Sequence, residues 1–171
     1  MPESTPRAPV RVLIVCLGNI CRSPMAEGVL RARIQGSALA GRVMVDSAGT
    51  GAWHIGQPPD PRAIATAAHH GVDISDLRGR QLARDDFMRH DWLLCADRDN
   101  LRDVLAHAPA DAHSRCALLL EWAGLAPEEV EVPDPYSGIA ADFEDVWALL
   151  DRAAEGVVAR LEIALRTRSG A

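Results

Sequence analysis

Short continuous apolar runs alternate along this chain with longer stretches that carry apolar residues at helical spacing. Residues 10–15 form a nearly unbroken β-branched run, typical of a strand buried on both faces, and residues 25–34 follow with helical spacing. Further strands are predicted at residues 43–46, 92–96 and 115–120, and further helices at residues 60–70, 98–107 and 143–165. This pattern therefore predicts a series of strand and helix units along the chain.

This order predicts an α/β fold. We expect a single domain with a four-stranded, mostly parallel sheet and helices on both faces, of the flavodoxin-like or Rossmann-like kind. Ligands of such sheets bind beyond the carboxyl ends of the strands. The loops at residues 16–22 and 47–59 and the residue Asp97 should therefore meet at one edge.

The segment 16–24, CLGNICRSP, directly follows the first predicted strand and predicts a phosphate-binding loop. With Ser23 as the candidate N-cap and Pro24 at the first helical position, the turn would point backbone N–H groups at one spot. Those groups and the helix dipole favour an anion, so the Cys16 thiol should ionise easily. The alternative is structural, because a lone cysteine is more often a small buried residue and the loop lacks a Walker Gly-Lys-Ser/Thr.

The residues around this loop suit phosphoryl transfer. Arg22 offers a planar fork that can bind two phosphoryl oxygens, while the amides of residues 17–22 can take others. The Ser23 hydroxyl can donate to the thiolate and ease its later departure. The chemistry therefore predicts a covalent phosphoenzyme.

A phosphoester also needs an acid that protonates its leaving oxygen. Asp134 is the first candidate, because prolines flank it and Tyr136 follows, although a turn aspartate is the simpler reading. Asp97 and Asp46 are further candidates by topology. They are interpreted as a helix cap and a strand-end turn residue, respectively.

Composition narrows the function classes. The chain has 171 residues, 48% of them hydrophobic, and a formal net charge of -6, which argues against general nucleic-acid or anionic-membrane binding. No apolar stretch has the length of a membrane span, and residues 1–9 are predicted to be a disordered, polar lead to a domain at 10–168. Four cysteines do not suggest a disulfide framework, so a reducing compartment, the cytoplasm, is expected.

The chain resembles the low-molecular-weight protein tyrosine phosphatases over about residues 10–161. The likeness rests on VCLGNICRSPMAE, DSAGTGAWHIGQPPDPRA, HGVDIS, GRQL, DDF, LLCADRDNL, DPY and DFEDVW. The resemblance implies hydrolysis of phosphotyrosine monoesters and aryl phosphates through a cysteinyl-phosphate intermediate. It implies Cys16 as nucleophile, Arg22 as phosphate ligand and Asp134 as general acid and then base, with no metal or cofactor.

The resemblance also implies how phosphate and substrate are bound. Asn19 would take a left-handed backbone conformation, supported by Ser23 and Ser47, that keeps the loop amides inward. Trp53 and Tyr136 would sandwich a phenyl phosphate in a slot too deep for phosphoserine. The residues implied in phosphate and substrate binding are Leu17, Gly18, Asn19, Ile20, Cys21, Ser23, Trp53 and Tyr136.

The expected partner is a phosphotyrosine-containing protein, and a bacterial tyrosine kinase is one candidate. Ile20 together with Tyr136 favours phosphotyrosine over the phosphoarginine of related phosphatases. Neither nucleic-acid binding nor membrane insertion is expected, and the oligomeric state is left open. Two positions depart from the family: Leu77 replaces a histidine that often braces the loop asparagine, and Ser137 replaces a second tyrosine found in many members.

The remaining cysteines raise one hypothesis and one alternative function. Cys21 could trap an oxidised Cys16 as a disulfide, or simply be buried behind the loop. A thioredoxin-coupled arsenate reductase shares this loop but needs a mobile pair of resolving cysteines, whereas Cys95 and Cys116 are expected to be far apart and structural. A non-enzymatic phosphopeptide-binding module is disfavoured, because Cys16, Arg22 and Asp134 are all present.

Overall fold

A four-stranded sheet forms the centre of the molecule. The structure is a computed structural model that describes residues 7–169, so most of the predicted lead at 1–9 lies outside the described residues. The strands are β1 (Val10–Cys16), β2 (Val43–Gly49), β3 (Trp92–Cys95) and β4 (Cys116–Leu118). They are ordered β2-β1-β3-β4, and all neighbouring pairs are parallel, which confirms the predicted sheet.

Helices cover both faces of this sheet, as predicted. They are α1 (Arg22–Gln35), α2 (Pro61–His69), α3 (Asp86–Arg89), α4 (Arg98–His107), α5 (Leu119–Trp122) and α6 (Ala140–Ser169), with a 3-10 helix at Ala110–Arg115. Because side chains alternate along β1, Val12 and Ile14 join the core formed with α1 and α6. Leu13 and Val15 instead pack on the opposite face with Phe87 and Val104.

Two predicted element boundaries are wrong in ways that affect the site. The first helix begins at Arg22, with Cys21 at the N-cap position and no side-chain capping bond, so Ser23 is not the N-cap and Pro24 is not the first helical residue. Pro24 is still tolerated, since the first-turn N–H groups of a helix have no intrahelical acceptor. β2 continues beyond the predicted 43–46 to Gly49, which carries it alongside Cys16 at the end of β1.

The other differences lie away from the site. The predicted strand at 115–120 ends at Leu118, because the chain turns into α5 and buries Leu119, Leu120 and Trp122 there. The predicted helix at 143–165 is longer, since α6 spans Ala140–Ser169. Between residues 7 and 169, no helix is both long enough and apolar enough to cross a membrane.

Candidate active site

The loop between β1 and α1 is held by the end of β2. Thr50 N–H donates to the Cys16 carbonyl and Gly51 N–H to the Leu17 carbonyl, both at 2.9 Å. A Cβ atom on Gly49 would lie 2.7 Å from the Leu17 carbonyl oxygen, so only glycine permits this approach. The neighbouring strand therefore engages the loop carbonyls, and the predicted meeting of the loops at one sheet edge is confirmed.

The Cys16 sulfur lies buried at the base of this loop. Asn19 N–H donates to Sγ at 3.3 Å, and the Ser23 hydroxyl lies 2.9 Å from the same atom. Ser23 thus serves the sulfur rather than capping the helix, since its Oγ also accepts from the Asn19 side chain at 2.8 Å. A hydroxyl and an amide directed at one sulfur suit a negatively charged thiolate.

Asn19 has the conformation that the family resemblance implies. Its φ is 57°, in the left-handed region that asparagine tolerates. Its Nδ2 also donates to Ser47 Oγ at 2.9 Å, and its Oδ1 accepts from Arg80 N–H at 2.9 Å. Leu77 packs half-buried against the main core. A backbone amide therefore braces Asn19 in a chain that lacks the family's histidine.

Arg80, whose amide braces Asn19, is itself fixed by two carboxylates. Its guanidinium donates twice to Asp86, at 2.9 and 3.0 Å, and once to Asp46 at 2.8 Å. Burial raises the pKa of Asp86, but the bonds from Arg80 and from Ala83 N–H outweigh burial and lower it overall. The interpretation of Asp46 as a strand-end turn residue is wrong, because Asp46 lies within β2 opposite Leu13.

Arg22 lies in the first turn of α1 with its guanidinium buried. Nη1 donates to Asp97 Oδ2 at 2.6 Å and to the Val132 carbonyl at 2.9 Å, while Nη2 lies 3.7 Å from Asp134 Oδ2. Burial lowers the pKa of Arg22, but negative charge on Cys16 and on Asp97 outweighs burial and raises it overall. The guanidinium therefore stays charged beside the sulfur.

Asp97 has two roles, only one of which was predicted. Its Oδ1 accepts from Asn100 N–H at 2.8 Å, so it caps α4 as expected. Its other oxygen holds Arg22, which the sequence analysis missed. The position of Asp97 just beyond β3, at the carboxyl edge of the sheet, was the signal for this contact.

A pocket of about 160 Å³ opens above the sulfur, and it gathers most of the predicted residues. Its lining residues are Cys16, Leu17, Gly18, Ile20, Cys21, Arg22, Trp53, His54, Asp134 and Tyr136. Asn19, Ser23 and Ser47 are buried behind the loop as supports. A larger cavity of about 540 Å³ near Thr50 and His107 contains none of the candidate catalytic residues.

His54 is a pocket residue that the sequence analysis missed. A Cβ atom on Gly18 would lie 3.2 Å from the His54 ring, so the imidazole packs directly on the loop. Its Nδ1 pairs with Gln57 Oε1 at 2.9 Å. In the sequence, only its position next to Trp53 indicated that His54 would line the pocket.

The other cysteines are free thiols. Burial, with a contribution from the charge of Asp60, raises the pKa of Cys21 to about 12, and its proposed disulfide with Cys16 stays a prediction. Cys95 and Cys116 are not far apart, because they lie on the neighbouring strands β3 and β4. Burial raises the pKa of both, and their places in the sheet deny them the mobility that a resolving pair needs.

Known proteins match this chain over nearly its whole length. The family model for low molecular weight phosphotyrosine protein phosphatase matches residues 11–166. The chain belongs to that family. A low molecular weight protein-tyrosine-phosphatase from Streptomyces coelicolor is 40% identical over 151 residues, covering 87% of this chain and 92% of the relative.

Solved structures agree with this assignment. The protein tyrosine phosphatase from Entamoeba histolytica, with Hepes in its active site, has a TM-score of 0.86 and 34% identity, covering 91% of this chain and 98% of that one. Wzb from Vibrio vulnificus, in complex with benzylphosphonate, has a TM-score of 0.77 and 29% identity, covering 88% and 98%. The protein is therefore a protein tyrosine phosphatase. The family match and the relatives confirm the predicted family and activity, and the solved structures confirm the predicted fold.

Proposed function

We propose that Cys16, Arg22 and Asp134 carry out phosphotyrosine hydrolysis in two steps. In the first, Cys16 Sγ attacks phosphorus, the S–P bond forms, the ester P–O bond breaks, and Asp134 protonates the departing phenolate. In the second, water attacks the phosphocysteine and gives a proton to the Asp134 carboxylate. The S–P bond then breaks and inorganic phosphate leaves.

One observation carries this assignment: the buried sulfur, the charged guanidinium and an accessible carboxylate line the same pocket. The Asp134 side chain is 45% exposed, so its carboxyl group can exchange protons with solvent, and its Oδ2 lies 3.7 Å from Arg22 Nη2. Arg22 is held by Asp97 and Val132, so its Nη2 edge is the one available to phosphoryl oxygens. Such a preorganised donor stabilises charge on the transferring group.

The rim supports a phosphotyrosine protein as the substrate. Trp53 and Tyr136 line the pocket with exposed aromatic rings, which can pack against the phenyl ring of the substrate. Ile20 lines the same pocket and adds to the preference for phosphotyrosine. The benzylphosphonate bound to the relative from Vibrio vulnificus likewise carries a phenyl ring. Ser137 is exposed after Tyr136 and adds no second ring.

The proposed mechanism also bears on the domain, the location and the substrate of the protein. We infer a phosphatase domain at residues 10–168, a cytoplasmic location, and a tyrosine kinase among the candidate substrates. A thiolate nucleophile works in a reducing compartment. The inferred location rests on the chemistry of Cys16, because oxidation of its thiolate would end activity.

Leaving-group dependence tests the proposed roles. Wild type, Cys16→Ser and Asp134→Ala are compared on aryl phosphates whose phenols span a range of acidity, and on a phosphotyrosine peptide. We expect Cys16→Ser to lower kcat by at least about 10⁴-fold. We expect Asp134→Ala to lower kcat by about 10²–10⁴-fold for poor leaving groups and much less for p-nitrophenol.

The matched control is Asp111→Ala, an exposed aspartate in the 3-10 helix. It should leave every rate within about twofold of wild type, as surface substitutions do. Acid-quenched turnovers of wild type should contain phosphate bound to Cys16. Turnover by Cys16→Ser, or an equal effect of Asp134→Ala on all leaving groups, would contradict the assignment.

A further inference from the structure

A cluster of two histidines and a glutamate lies away from the phosphate pocket. His69 ends α2 and His70 follows it, while Glu144 lies in the second turn of α6. His69 Nδ1 lies 3.0 Å from Glu144 Oε1, and His70 Nε2 lies 2.7 Å from Glu144 Oε2. One ligand atom from each residue falls within 4.8 Å of the others.

The cluster is oriented by its surroundings and open to solvent. The His70 ring stacks on Trp147, with centroids 5.2 Å apart and an interplanar angle of 11°. Trp147 is buried in the core. The His69 side chain is 75% exposed and that of Glu144 is 39% exposed, so a dissolved ion can reach the three ligand atoms.

We propose that His69, His70 and Glu144 bind a divalent transition metal of the zinc type and thereby join α2 to α6. Imidazole nitrogen and carboxylate oxygen are the donors that Zn²⁺ takes besides thiolate, at bond lengths of about 2.0–2.2 Å. Ligand atoms around a tetrahedral Zn²⁺ lie about 3.3 Å apart. The ion is therefore seated by an outward shift of the carboxylate and a closer approach of the most separated ligand atoms, which now lie within 4.8 Å of each other.

Binding exchanges hydrogen bonds for metal bonds. In each neutral imidazole the proton that faces the carboxylate moves, by exchange with solvent, to the other ring nitrogen, so that the lone pairs of His69 Nδ1 and His70 Nε2 bind the ion with no net loss of a proton. Water completes the coordination on the exposed side.

The start of α2 and the segment just before α6 also flank the phosphate pocket. Asp60 N–H, at the start of α2, donates to the Ile20 carbonyl of the loop at 2.8 Å. Arg62, in the first turn, donates to the carbonyls of Tyr136 and Gly138, at 2.9 and 3.0 Å. The length of α2 places the metal site about 13 Å from that end. The ion is therefore a structural staple that resists separation of α2 from α6, and it touches no reacting atom.

Calorimetric titration with Zn²⁺ tests the site. The protein is untagged and carries Cys16→Ser, since the pocket thiol would otherwise compete for zinc. We expect one Zn²⁺ per chain and a rise in Tm when Zn²⁺ is added. Glu144→Gln and His69→Gln should each raise the Kd by at least about tenfold and abolish the Tm rise.

Two further measurements make the outcome decisive. His107→Gln is the matched control: it is an exposed histidine whose Nδ1 contacts the carbonyl of Asp103 in its own helix, and it should bind Zn²⁺ like the parent. With Co²⁺, the absorption spectrum should show nitrogen and oxygen ligands and no thiolate charge-transfer band. No binding, unchanged binding by Glu144→Gln and His69→Gln, or a thiolate band would overturn the proposal.

Discussion

The floor of the phosphate pocket and its rim are built differently. On the floor, the side chains of Cys16, Asn19, Arg22 and Ser23 are all nearly inaccessible to solvent, and each makes a hydrogen bond to another buried group. On the rim, Trp53 is 68% exposed and Tyr136 is 53% exposed. The proposed nucleophile and phosphate ligand, with the residues that support them, are thus fixed, whereas the aromatic rings of the rim are open to solvent.

The difference follows from the cost of burying polar groups. A buried polar atom without a partner costs about 1–3 kcal/mol, so the floor tolerates few arrangements other than the one observed. The exposed rim bears no such constraint and can accept different residues around a phosphotyrosine. We therefore expect substitutions on the floor to reduce catalysis and stability, and substitutions on the rim to change mainly substrate affinity.

Among substitutions on the floor, the largest effect after loss of the nucleophile is expected for Arg22→Lys. Lysine keeps the charge but loses the fork that contacts Asp97, the Val132 carbonyl and the phosphoryl oxygens together. The value of kcat/KM should fall by about 10²–10³-fold, as when a preorganised donor is removed. Arg102→Lys, on the surface, is the control. Near-wild-type kcat/KM for Arg22→Lys would mean that charge alone suffices on the floor.

Two substitutions of Asn19 distinguish the contribution of its backbone conformation from that of its side-chain hydrogen bonds. Asn19→Gly adopts the left-handed backbone without steric strain but removes the bonds to Ser23, Ser47 and Arg80 N–H. Asn19→Ala removes the same bonds and adds strain of about 1–2 kcal/mol at a φ of 57°. Denaturant unfolding should rank wild type above glycine and glycine above alanine, and both variants should lose kcat. Equal stability of the two variants would exclude backbone strain as a factor.

Asp86→Asn tests the support behind the floor and its pH dependence. Asparagine keeps the size but weakens the bonds to Arg80, so we expect a loss of about 2 kcal/mol in the free energy of unfolding. The native pKa of Asp86 is lowered, so its contribution is complete above the unfolded pKa of about 3.9 and is lost as the pH falls through the native pKa.

Urea unfolding at several pH values measures this contribution. The difference between wild type and Asp86→Asn should be constant near neutral pH and shrink below about pH 4. Asp85→Asn, at a helix N-cap position without a side-chain bond, is the control and should leave stability unchanged. A difference that grows toward low pH would contradict the direction of the shift.

The smallest effect is expected on the rim. For Trp53→Ala, loss of ring packing worth about 0.5–1.5 kcal/mol should raise KM for a phosphotyrosine peptide by at most about tenfold. The kcat should stay within about twofold, and Tm should not change, because the ring is 68% exposed. Steady-state kinetics with the peptide measure both values. A large fall in kcat would mean that Trp53 contributes to catalysis, as the floor residues do, and not only to substrate binding.

Local patterns predicted the long elements well, their ends poorly, and the short helices α3 and α5 not at all. The β-branched run at 10–15 and the apolar spacing from Phe143 onward are strong periodic signals, and β1 and α6 formed there. Ser23 has the chemistry of an N-cap, but its hydroxyl contacts Cys16 and Asn19 instead. Residue types do not tell whether the hydroxyl caps the helix or bonds to its own loop, because that choice depends on how the loop folds.

The sequence alone determined the order of strands and helices and the chemical groups available to this phosphatase. The loop from Cys16 to Arg22 and the aspartate between two prolines are each contiguous in the chain, so they could be recognised there. Only the tertiary structure decided how they are held, through Asp97 on Arg22, Arg80 N–H on Asn19, and His54 against Gly18. The physical reason is the distance along the chain over which each kind of interaction acts. Periodicity and loop chemistry act between neighbours in the chain, whereas these contacts join segments that only the parallel sheet brings to one edge.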